Sequence, residues 1–168
     1  MTFEDYVAAR GSALLRLAYV LTSNRHDAED LVQSALVDTY RHWRRVAGAD
    51  SPDAYVRRVL VNRHLAGHRR RSSGERPTDP TDLHLGSVAD AADGVVSRDE
   101  TRQQLDALSR RARTVLVLRF YADLDDHAIA AVMGISPSTV RSTAARALAQ
   151  LRSAMPSSVR LGKEGVHD

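Results

Sequence analysis

Residues 72–94, SSGERPTDPTDLHLGSVADAADG, hold two prolines, three glycines and five acidic residues with no apolar period of any kind. Such a segment cannot bury enough side chain to offset the entropy lost on ordering it, so it reads as a flexible linker. This limits the fold more than any other feature, because a core must form separately on either side. The spacing predicts domains at residues 1–71 and 98–155, a flexible acidic linker at 72–97 and a polar, disordered tail at 156–168. Both blocks show helical periodicity and neither alternates long enough for a strand. The expected fold is all-α: two small helical domains joined by the linker, the second containing a helix-turn-helix.

With 43% hydrophobic and 27% charged residues, the 168-residue chain reads as globular and has no apolar run long enough to insert in a membrane. Glu4 and Asp5 lie where a signal peptide would be basic and then apolar, so the expected location is the cytoplasm. The absence of cysteine excludes disulfides and thiol chemistry. The net charge of +3 is unevenly spread, with +4 on residues 1–71, −4 on 72–97 and +3 on 98–155. All but one of the 24 basic residues are arginine, which suits forked contacts to phosphate or bases, although genomic base composition produces the same bias.

In HDAEDLVQSALVDTYRHW, Asp27 is the expected N-cap, and Ala28, Leu31, Val32, Ala35, Leu36, Thr39, Tyr40 and Trp43 form the expected core arc. Val37 falls on the other face among Asp30, Gln33, Ser34 and Arg41. One exposed valine is often ordinary surface, but an apolar residue set in a polar field is also how a partner-binding face looks. The next helix starts at Ser51 and Pro52, with Tyr55, Val56, Val59 and Leu60 inward. Its Arg57, Arg58 and Arg63 face outward and Arg69, Arg70 and Arg71 mark its end, either as a solvated terminus or as a phosphate-binding edge.

Helices are expected at 98–108, 110–121, 126–133 and 137–151, with Asp125 and Ser136 as caps of the last two and Gly134 in the turn between them. Ile129, Ala130 and Met133 would pack against Val140, Ala144, Ala147, Leu148 and Leu151. The opposite face of the final helix presents Ser138, Arg141, Ser142, Ala145 and Arg146, with Thr139 beside them. Small residues let such a helix enter a major groove, and arginine can grip guanine with two hydrogen bonds. An ordinary helical hairpin would share the core spacing.

His64 and His68 have zincin-like spacing, but no Glu follows His64 and basic neighbours would repel a cation, so no metal is expected. Nucleic-acid or solvent contact is the expectation for both. Asp123, Asp125 and Asp126 cluster at a helix start, where capping accounts for them. Nothing marks a phosphate-cradling loop, a nucleophile or a cofactor site, and the chain does not read as an enzyme.

Together these residues resemble the extracytoplasmic-function sigma factors of bacterial RNA polymerase, the compact class with sigma regions 2 and 4. DAEDLVQSAL is similar to that family's polymerase-binding helix, AYVRRVLVN to its −10 helix, and LSRRARTVLVLRFYADL with IAAVMGISPSTVRSTAARAL to its −35-reading domain. The resemblance implies that Asp30, Gln33, Val37 and Arg41 meet the β′ clamp helices of core RNA polymerase. The loop VAGADS, 46–51, would take a flipped base of promoter DNA, with Tyr55, Arg58, Asn62, Arg69, Arg70 and Arg71 along the opening strands. Unstacking a base costs about a few kcal/mol, which a pocket and a basic track must supply. Ser138, Thr139, Arg141, Ser142 and Arg146 would meet the −35 element. A monomer is implied, and an anti-sigma factor is a candidate partner. Tyr55, Ala66, Ala128 and Thr143 depart from the family pattern, where Trp, an acid, Glu and Arg are common; the last leaves the −35 preference open. A dimeric helix-turn-helix regulator with a helical sensor domain and a helical protein-interaction adaptor are the rival readings.

Overall fold

The computed structural model describes residues 1–71 and 98–154, with backbone alone at 68–71 and 98–102. The expected linker at 72–97 and tail at 156–168 lie outside the described residues. Among those described there is no strand.

The first unit contains α1 (Phe3–Thr22), α2 (Arg25–Arg41), α3 (Trp43–Ala47) and α4 (Pro52–Arg71). A capping box starts α1: Asp5 N donates to Thr2 Oγ1 at 3.1 Å and Thr2 N to Asp5 Oδ2 at 3.0 Å. These bonds hold the Asp5 carboxyl below the usual carboxylate range. The cap of α2 is Asn24, not Asp27: Asn24 has extended backbone, and its Oδ1 accepts from Asp27 N at 3.1 Å. Asp27 instead lies in the first turn, where its charge favours the positive end of the helix dipole.

Leu14, Leu17 and Leu21 of α1 pack with Ala28, Val32 and Ala35 of α2 and Val56 and Leu60 of α4 to form the core. Ser51 caps α4, accepting from Ala54 N at 3.2 Å. Asp53 in the first turn ties α4 to α1, accepting from Tyr6 Oη at 3.0 Å and Arg10 Nη2 at 3.0 Å. Burial first, then the Asp53 charge and hydrogen bond, push the Tyr6 phenol well above its ordinary range. Arg57 also reaches Asp53, at 3.4 Å, and so lies along the helix surface rather than facing freely outward.

The second unit contains α5 (Arg98–Ala107), α6 (Arg110–Leu116), a π turn (Val117–Tyr121), α7 (Asp126–Met133) and α8 (Pro137–Ala154). The helix expected over 110–121 is therefore present but widens in its last turn, where Ala122 N donates to Val117 O at 3.0 Å. Asp125 Oδ1 caps α7 by accepting from Ala128 N at 2.8 Å, and Ser136 Oγ caps α8 by accepting from Thr139 N at 3.2 Å. Between them Gly134 adopts φ +67°, and a Cβ there would meet no atom within 4 Å. Gly134→Ala should thus cost only the left-handed backbone strain, a loss of about 1 kcal/mol on denaturant unfolding. An unchanged midpoint would contradict that conformation.

The two units dock. Helix α4 packs on α7 and α6, and α1 meets the π turn. Val61 and His64 are buried in α4, and Arg110 Nη1 donates to His64 O at 2.8 Å. His64 is therefore not available to nucleic acid or solvent as expected; the His68 side chain lies outside the described residues. Arg113 of α6 also crosses, donating to Val20 O at 2.9 Å and to Ser23 Oγ, and within its own unit it donates to Asp106.

Candidate functional site

Three sets of exposed side chains lie outside this core. On α2, Asp30, Gln33, Val37 and Arg41 share one solvent face, with Val37 52% exposed. Asp38 at its edge accepts from Arg63 Nε of α4, a bond that holds the Asp38 carboxyl low and the Arg63 guanidinium high. Arg41 Nη1 lies 3.7 Å from Asp38 Oδ1. The Asp38–Arg63 pair thus links the edge of the α2 face to α4.

Tyr40 belongs to this face and not to the core arc, since it is 61% exposed. Three residues at 3.6 per turn leave Tyr40 about 60° from Val37, whereas Thr39, Ala35 and Ala28 centre the buried arc. The chain then breaks at His42, and Trp43 turns inward against Phe3 and Tyr6, with ring centroids 5.4 Å apart in both pairs. Tyr40 stays outside, edge-on to Phe3 at 5.0 Å. Its place at the margin of the wheel was the available signal.

On α4, Arg58 and Asn62 are exposed along one strip and Tyr55 is half-buried at its upper end. Arg69, Arg70 and Arg71 form the last turn, and their side chains lie outside the described residues. Val46 does not line an open loop: it ends up fully buried from α3, which shortens the exposed connection to residues 48–51. Within the short α3, Trp43 and Val46 sit three residues apart and both pack toward the core.

On α8, Ser138, Arg141, Ser142, Ala145 and Arg146 are exposed, while Val140, Ala144 and Ala147 are buried beneath them. Thr139 is half-buried, with its Oγ1 2.8 Å from Ser136 Oγ. Ser142 Oγ donates to Thr139 O at 3.1 Å and keeps its lone pairs for an incoming donor. Arg146 Nε donates to Ser142 O at 3.3 Å, laying that guanidinium along the helix. Arg146 also borders a shallow groove formed with Arg111 and Ala112 of α6 and with Thr143 and Gln150. Thr143, which also lines this groove, is buried and offers no charge to a phosphate. A helix with a small, hydroxyl-rich and basic outer face, braced by a capped partner helix, has the form that enters a major groove.

Among the described residues, no group of three or more His, Asp or Glu side chains is placed to hold a metal ion. No helix described is long and apolar enough to cross a membrane.

Residues 6–74 match the family model for sigma-70 region 2, and residues 98–151 match that for sigma-70, region 4. The RNA polymerase sigma-E factor of Streptomyces avermitilis is 40% identical over 157 residues, covering 94% of this chain and 87% of that protein. The protein of the same name from Streptomyces coelicolor is 38% identical over 152 residues, covering 90% and 85%. Among solved structures, the sigma factor RpoE of Bartonella quintana, in complex with the anti-sigma factor NepR, superposes with a TM-score of 0.73 at 20% identity, covering 96% of this chain and 98% of that one. The chain is a sigma factor of the sigma-70 type with regions 2 and 4 in one polypeptide. It belongs to the extracytoplasmic-function sigma factors, which direct RNA polymerase to promoters. With region 2 matched at residues 6–74 and region 4 at 98–151, neither a regulator with an N-terminal sensor domain nor a protein-interaction adaptor is favoured.

Proposed function

We propose that each exposed set performs one step of promoter-specific initiation. Asp30, Gln33, Val37 and Arg41, extended by Tyr40, bind the β′ clamp helices of core polymerase. Tyr55, Arg58 and Asn62, continued by Arg69, Arg70 and Arg71, follow the −10 strands as they open. Ser138, Thr139, Arg141, Ser142 and Arg146 read the −35 element. The working units are residues 1–71 and 98–155, joined through 72–97. The protein supplies no chemistry of its own and acts in the cytoplasm as one asymmetric copy beside the polymerase, since a promoter has no two-fold axis to match a dimer. The Bartonella relative was solved with an anti-sigma factor, and we extend a partner of that kind to this chain.

The observation that carries this reading is the outward face of α8, where five small or basic residues are exposed directly above a buried Val140–Ala144–Ala147 seam. Within that face the two arginines have different duties. Arg141 is near the helix start, where side chains reach base edges; Arg146 is a turn later and bound back along the helix. In holoenzyme, Arg141→Ala should weaken promoter binding by about 1–3 kcal/mol and relax preference at one −35 position. Arg146→Ala should weaken all sequences alike and reduce the salt slope by about one phosphate. Titrations on promoter variants at several salt concentrations check both. If both variants fold and match the parent in selectivity and salt slope, α8 does not read DNA.

A further inference from the structure

Asp126 has a duty that capping does not account for. Asp125 already caps α7, its Oδ1 receiving Ala128 N at 2.8 Å. The neighbouring Asp126 carboxylate is shared between two guanidinium groups from different elements. Its Oδ1 accepts from Arg119 Nη2 of the π turn, and its Oδ2 lies 3.7 Å from Arg141 Nη1 of α8. The Asp126 and Arg119 side chains are 20% and 28% exposed, whereas Arg141 is 58% exposed. A partly buried ion pair therefore lies beside a solvent-facing arginine.

We propose that Asp126 is a positioning residue for promoter selectivity: anchored by Arg119, its carboxylate holds the Arg141 guanidinium turned toward a base edge. This rests on the reading role given to Arg141 above. Three physical arguments favour it. An arginine side chain surrenders rotamer freedom when it docks, and a partner that restrains it beforehand lowers that cost. A guanidinium has five N–H donors, so one edge can face the carboxylate while another addresses guanine O6 and N7. A separation of 3.7 Å is longer than a direct hydrogen bond, so Arg141 is held by charge and remains free to close on a base. An acid beside a DNA-reading helix is also repelled by phosphates, which lowers affinity for every sequence. That penalty is common to all sequences and cancels in their ratio, so the discrimination comes from the gain confined to the correct base.

The experiment compares holoenzyme binding to a promoter with its mapped −35 element and to one altered at the position Arg141 reads. Asp126→Asn should lower the ratio of the two affinities by about three- to tenfold, with binding to the altered promoter unchanged or tighter. Asp126→Glu should restore part of that ratio. In an Arg141→Ala background, Asp126→Asn should leave the ratio where Arg141→Ala alone puts it. A merely structural role changes both affinities by one common factor and leaves the ratio intact; that result overturns the proposal. A drop in the ratio of equal size with and without Arg141 also overturns it. If Arg141→Ala itself leaves selectivity unchanged, the reading of Arg141 fails, and the role of Asp126 falls with it.

Discussion

Val37→Asp is expected to weaken assembly with core polymerase by at least about 30-fold while the chain stays folded. The size follows from replacing an apolar group at the centre of a polar-rimmed face by a charge, and about 30-fold corresponds to about 2 kcal/mol. A carboxylate placed there must also be desolvated against an apolar partner without a matching charge. Stability should change little, because Val37 is 52% exposed and contributes nothing to the core formed by Val32, Ala35 and Thr39. Tyr40→Ala should weaken assembly in the same direction, since Tyr40 stands one turn along on the same surface and is 61% exposed. Binding to labelled core enzyme, with circular dichroism on each variant, separates the outcomes. Unfolding of Val37→Asp would mean that α2 is rotated relative to this account. Undiminished binding by both folded variants would make the face ordinary surface.

The second large effect is on stability. Arg113 is 9% exposed and joins three acceptors: Val20 O and Ser23 Oγ at the end of α1, and Asp106 at the end of α5. Ser23, the C-cap just after α1, is held with φ 56°, so the guanidinium docks where the backbone turns out of the helix. Arg113→Ala removes the donors and leaves a partly buried carbonyl and hydroxyl to find water, a cost of about 1–3 kcal/mol. Arg113→Lys should recover little, because an ammonium cannot match the fork that spans acceptors on two units. Thermal unfolding would show the loss, and hydrogen exchange at the end of α1 should rise because the contact between the units loosens. A variant with unchanged melting and unchanged exchange there would show that the Arg113 contact does not hold the units together.

The features legible from sequence were those set by a few neighbouring residues. Asp125, Gly134 and Ser136 mark the helix-turn-helix because each satisfies a local backbone need: a cap, a left-handed turn, a second cap. The buried seam of α8 followed from its 3.6-residue period in the same way. Errors arose where two local solutions compete. Asn24 and Asp27 can both cap a helix, and the choice depends on where α1 stops, at Ser23. Tyr40 lies at the edge of the wheel, where Trp43 takes the inner place once the chain breaks at His42. What the pattern could not reveal was docking. Val61 and His64 look like the flank of a surface helix until the second unit packs on α4 and buries them, and Arg113 meets Val20 across 93 positions of chain. The same holds for Asp126, whose two arginines come from the π turn and from α8 and meet only when those elements fold together.

The most direct test of the central claim is run-off transcription with purified core polymerase and genomic fragments, with the start sites mapped. The account predicts transcripts that require this protein, begin at discrete positions, and share one −35 and one −10 sequence at fixed spacing upstream. It further predicts that Val37→Asp lowers them all together, whereas Arg141→Ala changes which ones are made. Transcription by core polymerase that is the same with and without the protein, together with binding of a protein dimer to a palindrome, would contradict it.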